Sequence, residues 1–129
     1  MVKALAKMDI QFFNNSDHVP QPKDKVKIEA LQVTPYPDRF RIFIELRVTP
    51  FQERPNLILV TRDEHGHDVG ELNIIETMHF DMEFTMHLRH SADPTGNYTL
   101  TADLFYESKN PPQDQRIVAF SIPHLESSD

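Results

Sequence analysis

The feature that most constrains the fold is a two-residue alternation of apolar and polar side chains that recurs from about Lys23 onward. Successive side chains of a β-strand point to opposite faces, so this spacing collects the apolar residues on one side of a strand, whereas helical geometry would scatter them. The pattern therefore predicts an all-β chain. It is clearest on one row of apolar residues: Met78, Phe80, Met82, Phe84, Met86 and Leu88.

Seven such segments are separated by Pro, Asn, Asp and Gly residues, which are typical of turns. The first segment changes phase after Ala30, which indicates a β-bulge or a strand that switches sheets. Seven short strands with turn signals about every ten residues predict an antiparallel β-sandwich. The segments are Val26–Val33, Arg39–Thr49, Asn56–Thr61, Val69–Glu76, His79–Arg89, Tyr98–Glu107 and Arg116–Pro123.

The length of 129 residues suits a single domain with one core. We predict three parts: an N-terminal extension and linker over residues 1–22, the sandwich over 23–123, and a short tail over 124–129. The linker is inferred from the Asn, Ser, Asp and Pro residues between positions 14 and 22.

Composition excludes several kinds of chemistry. The chain has no Cys, so disulfides, thiolate zinc sites and iron–sulfur clusters are excluded, and three Gly are too few for a phosphate-binding loop. The net charge of −7 argues against nucleic-acid and anionic-membrane partners. We expect no cofactor. No secretory signal and no apolar run of about 18 residues is present, which favours a soluble, cytoplasmic protein.

The run from Asp93 to Ala102 resembles the sixth-strand motif of immunoglobulin-like domains, in which an acidic and a small residue precede the tyrosine-corner Tyr, here Tyr98. Asp93 lies one residue further from the Tyr than in that motif, and Leu100 occupies the position of the antibody disulfide Cys. Over residues 23–123 the chain is thus similar to disulfide-free immunoglobulin-like or fibronectin-type-III-like domains. The resemblance implies two packed sheets, with the third, sixth and seventh strands in one sheet, and a Tyr98 hydroxyl bonded to nearby backbone.

The outer face of that sheet is the first candidate site. If Ile58 and Val60 point inward, the opposite face is too apolar to be left uncovered. Either the N-terminal segment around Ile10 and Phe12 folds over it, or another chain packs there, an identical copy among the options. The predicted interaction face comprises Leu57, Leu59, Phe105, Ile117 and Ala119, with Ile75 joining from a neighbouring strand. This leads to our first hypothesis, a non-enzymatic protein-interaction module.

A second candidate is the turn around Gly66, where His65, His67, Asp63 and Asp68 offer imidazole and carboxylate ligands for Zn²⁺ or Cu²⁺. Polar hairpin tips are common in the absence of a metal, so a solvated turn is the favoured interpretation. We expect no catalysis, because no serine lies in a nucleophile elbow and no carboxylate pair has a recognisable spacing.

The alternative function is a small-ligand or carbohydrate-binding module that uses loops at one end of the sandwich. Sugar sites usually present exposed aromatic rings, and with no Trp in the chain the candidates in loops are Tyr36 and Phe51. The scarcity of loop aromatics weakens this alternative.

Overall fold

A computed structural model describes residues 19–89 and 93–125 and confirms an all-β fold. Within these residues the regular structure is one turn of 3₁₀-helix, Lys23–Lys25, and seven strands. No helix in these ranges has the length and apolar character to span a bilayer. The strands are β1 (Ile28–Pro35), β2 (Arg41–Val48), β3 (Asn56–Asp63), β4 (Asp68–Ile74), β5 (Asp81–His87), β6 (Gly96–Phe105) and β7 (Asp114–Ile122).

The strands form two antiparallel sheets, a three-stranded sheet of order β1-β2-β5 and a four-stranded sheet of order β4-β3-β6-β7. As the resemblance implies, β3, β6 and β7 share a sheet. The predicted phase change in the first segment is a bulge: the β1–β2 register shifts between Ile28 and Ala30, so that Ile28 and Leu31 are both buried while Ala30 is exposed.

The core lies between the two sheets and consists almost wholly of aliphatic residues and Met. Side chains of β2, β3 and β6 at its centre are fully buried because both sheets cover them. Met78 is an exception to the predicted apolar row, since 67% of its surface is exposed. The reason is that β5 begins only at Asp81, and Met78 belongs to the preceding connection.

The predicted phase of β3 is wrong. Leu57 and Leu59 are 0% exposed and face the core, while Ile58 and Val60 are half-buried on the outer face. Four consecutive apolar residues carry no alternation, so their sequence alone left the phase open. The register decides it: Leu57 lies opposite Leu104 and Leu59 opposite Ala102, and directly opposed residues share a face of the sheet.

The tyrosine corner implied by the resemblance is present, since the buried Tyr98 hydroxyl donates a hydrogen bond to the Pro94 carbonyl. Further contacts fix the loop before β6, and they come from Arg39 in the turn between β1 and β2. Arg39, in the left-handed region with φ of 71°, donates from Nη2 to Asp93 and Thr95 and from Nε to the Pro123 carbonyl. No sequence pattern had singled out Arg39.

The flank between β1 and β7 is closed by side chains that bind the β1 bulge. The Asp114 carboxylate accepts the Ile28 N–H at 2.8 Å, and Arg116 donates to the Ile28 carbonyl at 2.8 Å. These two charged side chains on β7 therefore point toward β1 rather than into solvent.

Part of the predicted organisation lies outside the described residues, namely the extension up to residue 18 and the tail from residue 126. The described chain begins against the loop after β2, where the Gln21 N–H donates to the Pro50 carbonyl at 2.9 Å.

Candidate interaction surface

The outer face of the four-stranded sheet carries a strip of apolar side chains across β3, β6 and β7. Val60 lies opposite Thr101, and Thr101 lies opposite Ile117, so three strands contribute to one row. In Ile117, 58% of the surface is exposed, whereas Val60 and Thr101 are half-buried because they have neighbours on both sides. We call this strip the apolar face and define it as Ile58, Val60, Thr101, Phe105, Ile117 and Ala119.

The structure thus brings together three of the predicted interaction residues, Phe105, Ile117 and Ala119, and replaces Leu57 and Leu59 by Ile58 and Val60. The residues beside the apolar run give conflicting signals for this phase. Asn56 and Arg62 have the same parity as Ile58 and Val60, whereas Thr61, the polar residue that directly follows the run, has the parity of Leu57 and Leu59 and is buried. In a strand, residues of the same parity share one face.

Two charged side chains in and beside the apolar face are paired with neighbours in the same sheet. Asp103 lies between Ile58 and Gln115 in the register, and its Oδ1 accepts a hydrogen bond from Gln115 Nε2 at 2.8 Å. At the rim, Arg62 Nε is 2.8 Å from the Asp68 carboxylate and so is directed away from the strip. The central carboxylate and the rim cation both have partners within their own sheet.

Ile75 stands at one end of the apolar face, directly after β4, with 71% of its surface exposed. The connection that follows is fixed to β3, since the Asn56 side chain accepts the Glu76 N–H at 2.8 Å and the Pro55 carbonyl accepts the Thr77 N–H at 2.9 Å. The exposure of Ile75 and of Met78 nearby is therefore built into a loop that the core strands hold in place.

The outer face of the three-stranded sheet is of opposite character, and we call it the charged face. Arg47 Nε lies 2.6 Å from the Asp81 carboxylate across β2 and β5. Hydrogen bonding and attraction by Asp81 raise the pKa of Arg47. The same two strands also place Glu45 directly opposite Glu83. Cross-strand pairs of like charge are unfavourable, so this part of the face is not optimised for stability.

The charged face has one large apolar residue in its outward row, Phe43, and neighbouring side chains cover it. The ring of Tyr36 meets Phe43 edge-on at 6.4 Å between centroids, and the Arg41 guanidinium lies 4.2 Å from the Tyr36 centroid. The Tyr36 hydroxyl shares a hydrogen bond with Thr85 at 2.9 Å. The Phe43 side chain is thus covered by other residues of the same chain.

The predicted metal ligands around Gly66 do not converge on one point. Asp63 Oδ1 accepts the N–H groups of His65 and His67, both at 2.9 Å, and these bonds, that of His67 foremost, lower the pKa of Asp63. Asp68 is paired with Arg62. No group of three or more His, Asp or Glu side chains within residues 19–89 and 93–125 is arranged to hold a metal ion. Asp63 acts here as an acceptor that stabilises the turn.

The loop aromatics proposed for sugar binding are engaged in packing. Phe51 contacts Phe80 edge-on, with 4.8 Å between the ring centroids, and Tyr36 is part of the cover over Phe43. At the same end as Phe51, the Tyr106 hydroxyl donates to the Glu53 carbonyl at 2.9 Å, and burial raises the pKa of Tyr106 to about 12. These rings stabilise the ends of the sandwich.

Comparison with known proteins identifies the fold and not a family. No protein-family model matches the chain, and no curated protein matches its sequence. A glycosyl hydrolase family 2 member from Bacteroides cellulosilyticus matches in structure with a TM-score of 0.57 and 11% identity over 75% of this chain. A β-glucuronidase from Bifidobacterium dentium, complexed with coumarin-3-O-glucuronide, matches with a TM-score of 0.52 and 17% identity over 75% of this chain.

The matched region is a small part of each of these proteins, 14% of the first chain and 18% of the second. At such low identity the likeness shows a shared immunoglobulin-like β-sandwich architecture and carries no residue of a site from one protein to another.

Proposed function

We propose that this chain is a non-enzymatic β-sandwich module that binds a protein partner through the apolar face. The observation that carries the proposal is the contrast in exposure between the two outer faces. Ile117 and Ile75 expose 58% and 71% of their surface next to Ile58, Val60 and Phe105, whereas the apolar residue of the charged face is covered by its neighbours. An exposed cluster of apolar residues on a soluble domain commonly marks a site of contact.

The position of the strip supports recognition by a preformed surface. Ile58, Val60 and Thr101 lie on β3 and β6, the two central strands of the sheet, whose side chains on the other face are fully buried. Such a surface is rigid, so little conformational entropy is lost on binding. The polar groups within it, Asp103 and Gln115, are already hydrogen-bonded to each other, so burying them against a partner costs less than burying unpaired groups.

The solved structures offer indirect support. In the two glycoside hydrolases the similar sandwich is 14% and 18% of a much larger chain. The fold is therefore used there as one component among others, as a binding module would be. The carbohydrate alternative receives less support, since Tyr36 and Phe51 are both packed against other rings.

Site-specific photo-crosslinking in the producing cells tests the proposal. A photoreactive residue at Val60 or Ile117 is expected to form a discrete adduct with protein, because both side chains lie in the strip. The matched control is the same residue at Thr34, which is exposed on the outer side of β1. Adducts of equal yield from Thr34 and Ile117, or none from any position, would contradict binding through the apolar face.

A further inference from the structure

The four edge strands differ in how well they are protected against pairing with another chain. Natural edge strands are commonly protected by bulges, prolines or charged side chains. The edge strand β1 has a bulge at Ile28 and ends at Pro35. Strand β4 pairs with β3 through a shifted register and carries Asp68 and Glu71. Strand β5 exposes charged residues, Asp81 and Glu83 among them.

The second half of β7 has none of these features. Its register with β6 runs without a shift from the Gly96–Ile122 pair to the Leu104–Asp114 pair. The charged residues Asp114 and Arg116 protect the first half, where they bind the backbone of Ile28. The six residues that follow, from Ile117 to Ile122, include no charge and no proline. This half-strand is a regular, uncharged edge.

We propose that β7 pairs antiparallel with β7 of a second copy of this chain, which joins two four-stranded sheets into one of eight strands. The inference rests on the proposed function and adds that two copies of the chain together build the surface that a partner meets. Two identical strands paired antiparallel are related by a two-fold axis, so the assembly closes at two copies and does not propagate. Since residues 117–122 are uncharged, no register of this pairing opposes like charges.

The same pairing completes the apolar face. The row that begins at Val60 and continues through Thr101 ends at Ile117, and Ile117 is the most exposed of the three residues. A strand added beside β7 gives Ile117 and Ala119 cross-strand neighbours and brings the strips of both copies into one surface. Extended chains that add to a sheet edge bind mainly through backbone hydrogen bonds.

The expected dimer is weak. Six residues of strand extend over only about 20 Å, and the area that they bury falls below the roughly 800 Å² per partner of a standard interface. We therefore expect a concentration-dependent equilibrium between monomer and dimer.

Sedimentation velocity over about two orders of magnitude in concentration provides the first test, since a weak dimer dissociates on dilution. Ala119→Lys is expected to raise the dissociation constant of the dimer tenfold or more, because the two-fold axis brings the new charges of both copies together. Each factor of ten corresponds to about 1.4 kcal/mol. Ala119 is exposed on its strand, so the variant is expected to fold. Thr34→Lys is the control on the other sheet, and Val60→Lys places the charge on the strip away from the edge.

Cysteine crosslinking provides the second test, because the chain has no Cys of its own. Ile117→Cys, Ala119→Cys and Ser121→Cys are oxidised singly and in pairwise mixtures, with Thr34→Cys as control. Directly opposed cross-strand Cβ atoms are about 4.5–5.5 Å apart, near the spacing of a disulfide. We expect one position or one mixture to form a dimer faster than the others, which reports the register.

Two outcomes overturn the proposal. A monomer at every concentration, with crosslinking no faster than at Thr34→Cys, excludes pairing through β7. Loss of the dimer in Val60→Lys but not in Ala119→Lys shows face-to-face packing instead. The proposed function is judged separately, since a photo-crosslink from Val60 to a different protein supports it even when β7 pairing fails.

Discussion

The two outer faces of this sandwich are built on the same strand geometry and differ in how their side chains are satisfied. On the charged face, Arg47 pairs with Asp81 across two strands, and Tyr36 covers Phe43. On the apolar face, Ile117 and Ala119 are exposed with no such cover from the described residues. Strands of the same geometry can thus present a face whose side chains are satisfied within the chain or, as we propose for the apolar face, one that suits a partner.

The side chains of the two outer faces contribute differently to the free energy of folding and of association. Exposed ion pairs contribute little to stability, roughly 0–1 kcal/mol, and the opposed Glu45 and Glu83 detract from it. Exposed apolar side chains cost little in the isolated domain, but burying them in an interface is worth about 25 cal/mol per Å². The charged face is therefore suited to contact with water. Burial of the apolar face stabilises the protein only when a partner binds there.

The largest expected effect concerns which residues of β3 belong to the apolar face. Leu59→Ala is expected to lower the free energy of unfolding by about 2–5 kcal/mol, because it opens a cavity in a fully buried site. Ile58→Ala, on the outer face, is expected to cost about 1 kcal/mol or less. Urea denaturation measures both. Equal losses would contradict the described difference in burial, and a larger loss for Ile58→Ala would show that the phase of β3 is opposite to the one described.

A smaller effect is expected from charge reversal on the charged face. Glu83→Lys replaces a like-charge pair with Glu45 by an opposite-charge pair, and we expect stability to rise by about 0.3–1 kcal/mol. The matched control is Asn73→Lys, exposed on the edge strand beside Ile58, where a change within about 0.5 kcal/mol is expected. Added salt should reduce the gain in Glu83→Lys, since exposed charges are screened. A gain of the same size in Asn73→Lys would remove the distinction between the two faces.

The smallest effect on stability is expected from lowering the pH, and it concerns Asp38, in the turn that leads to β2 of the charged face. The Phe40 N–H and then the Arg41 side chain donate to Asp38 and lower the pKa of that carboxyl. A carboxyl with a lowered folded pKa contributes stability above its unfolded pKa, about 3.9, and loses it as the pH falls through the folded value. Thermal unfolding of Asp38→Asn should therefore differ from the parent chain at neutral pH and converge with it in acid. A difference that persists unchanged at low pH would assign the effect to packing rather than to charge.

Most of the fold could be predicted from alternation alone, with strand ends correct to within about two residues, the usual uncertainty of such boundaries. The Tyr98 hydrogen bond was implied by the resemblance of the run around the sixth strand to immunoglobulin-like domains. One set of contacts could not be predicted in this way. The Arg39 contacts join residues more than fifty positions apart, and no local pattern indicates such a pairing.

The sequence by itself determined the all-β class, the seven strands of the described residues and the place where β1 changes phase, because alternation and turn residues are local properties. Only the tertiary structure decided that Ile58 and Val60, rather than Leu57 and Leu59, face outward, since an unbroken apolar run is oriented by the strands on either side of it. The tertiary structure also decided that Asp114 and Arg116 turn toward β1, which leaves the rest of β7 an uncharged edge. Which surfaces of a sandwich are free depends on which strands are neighbours, and neighbours are chosen by packing of the whole chain.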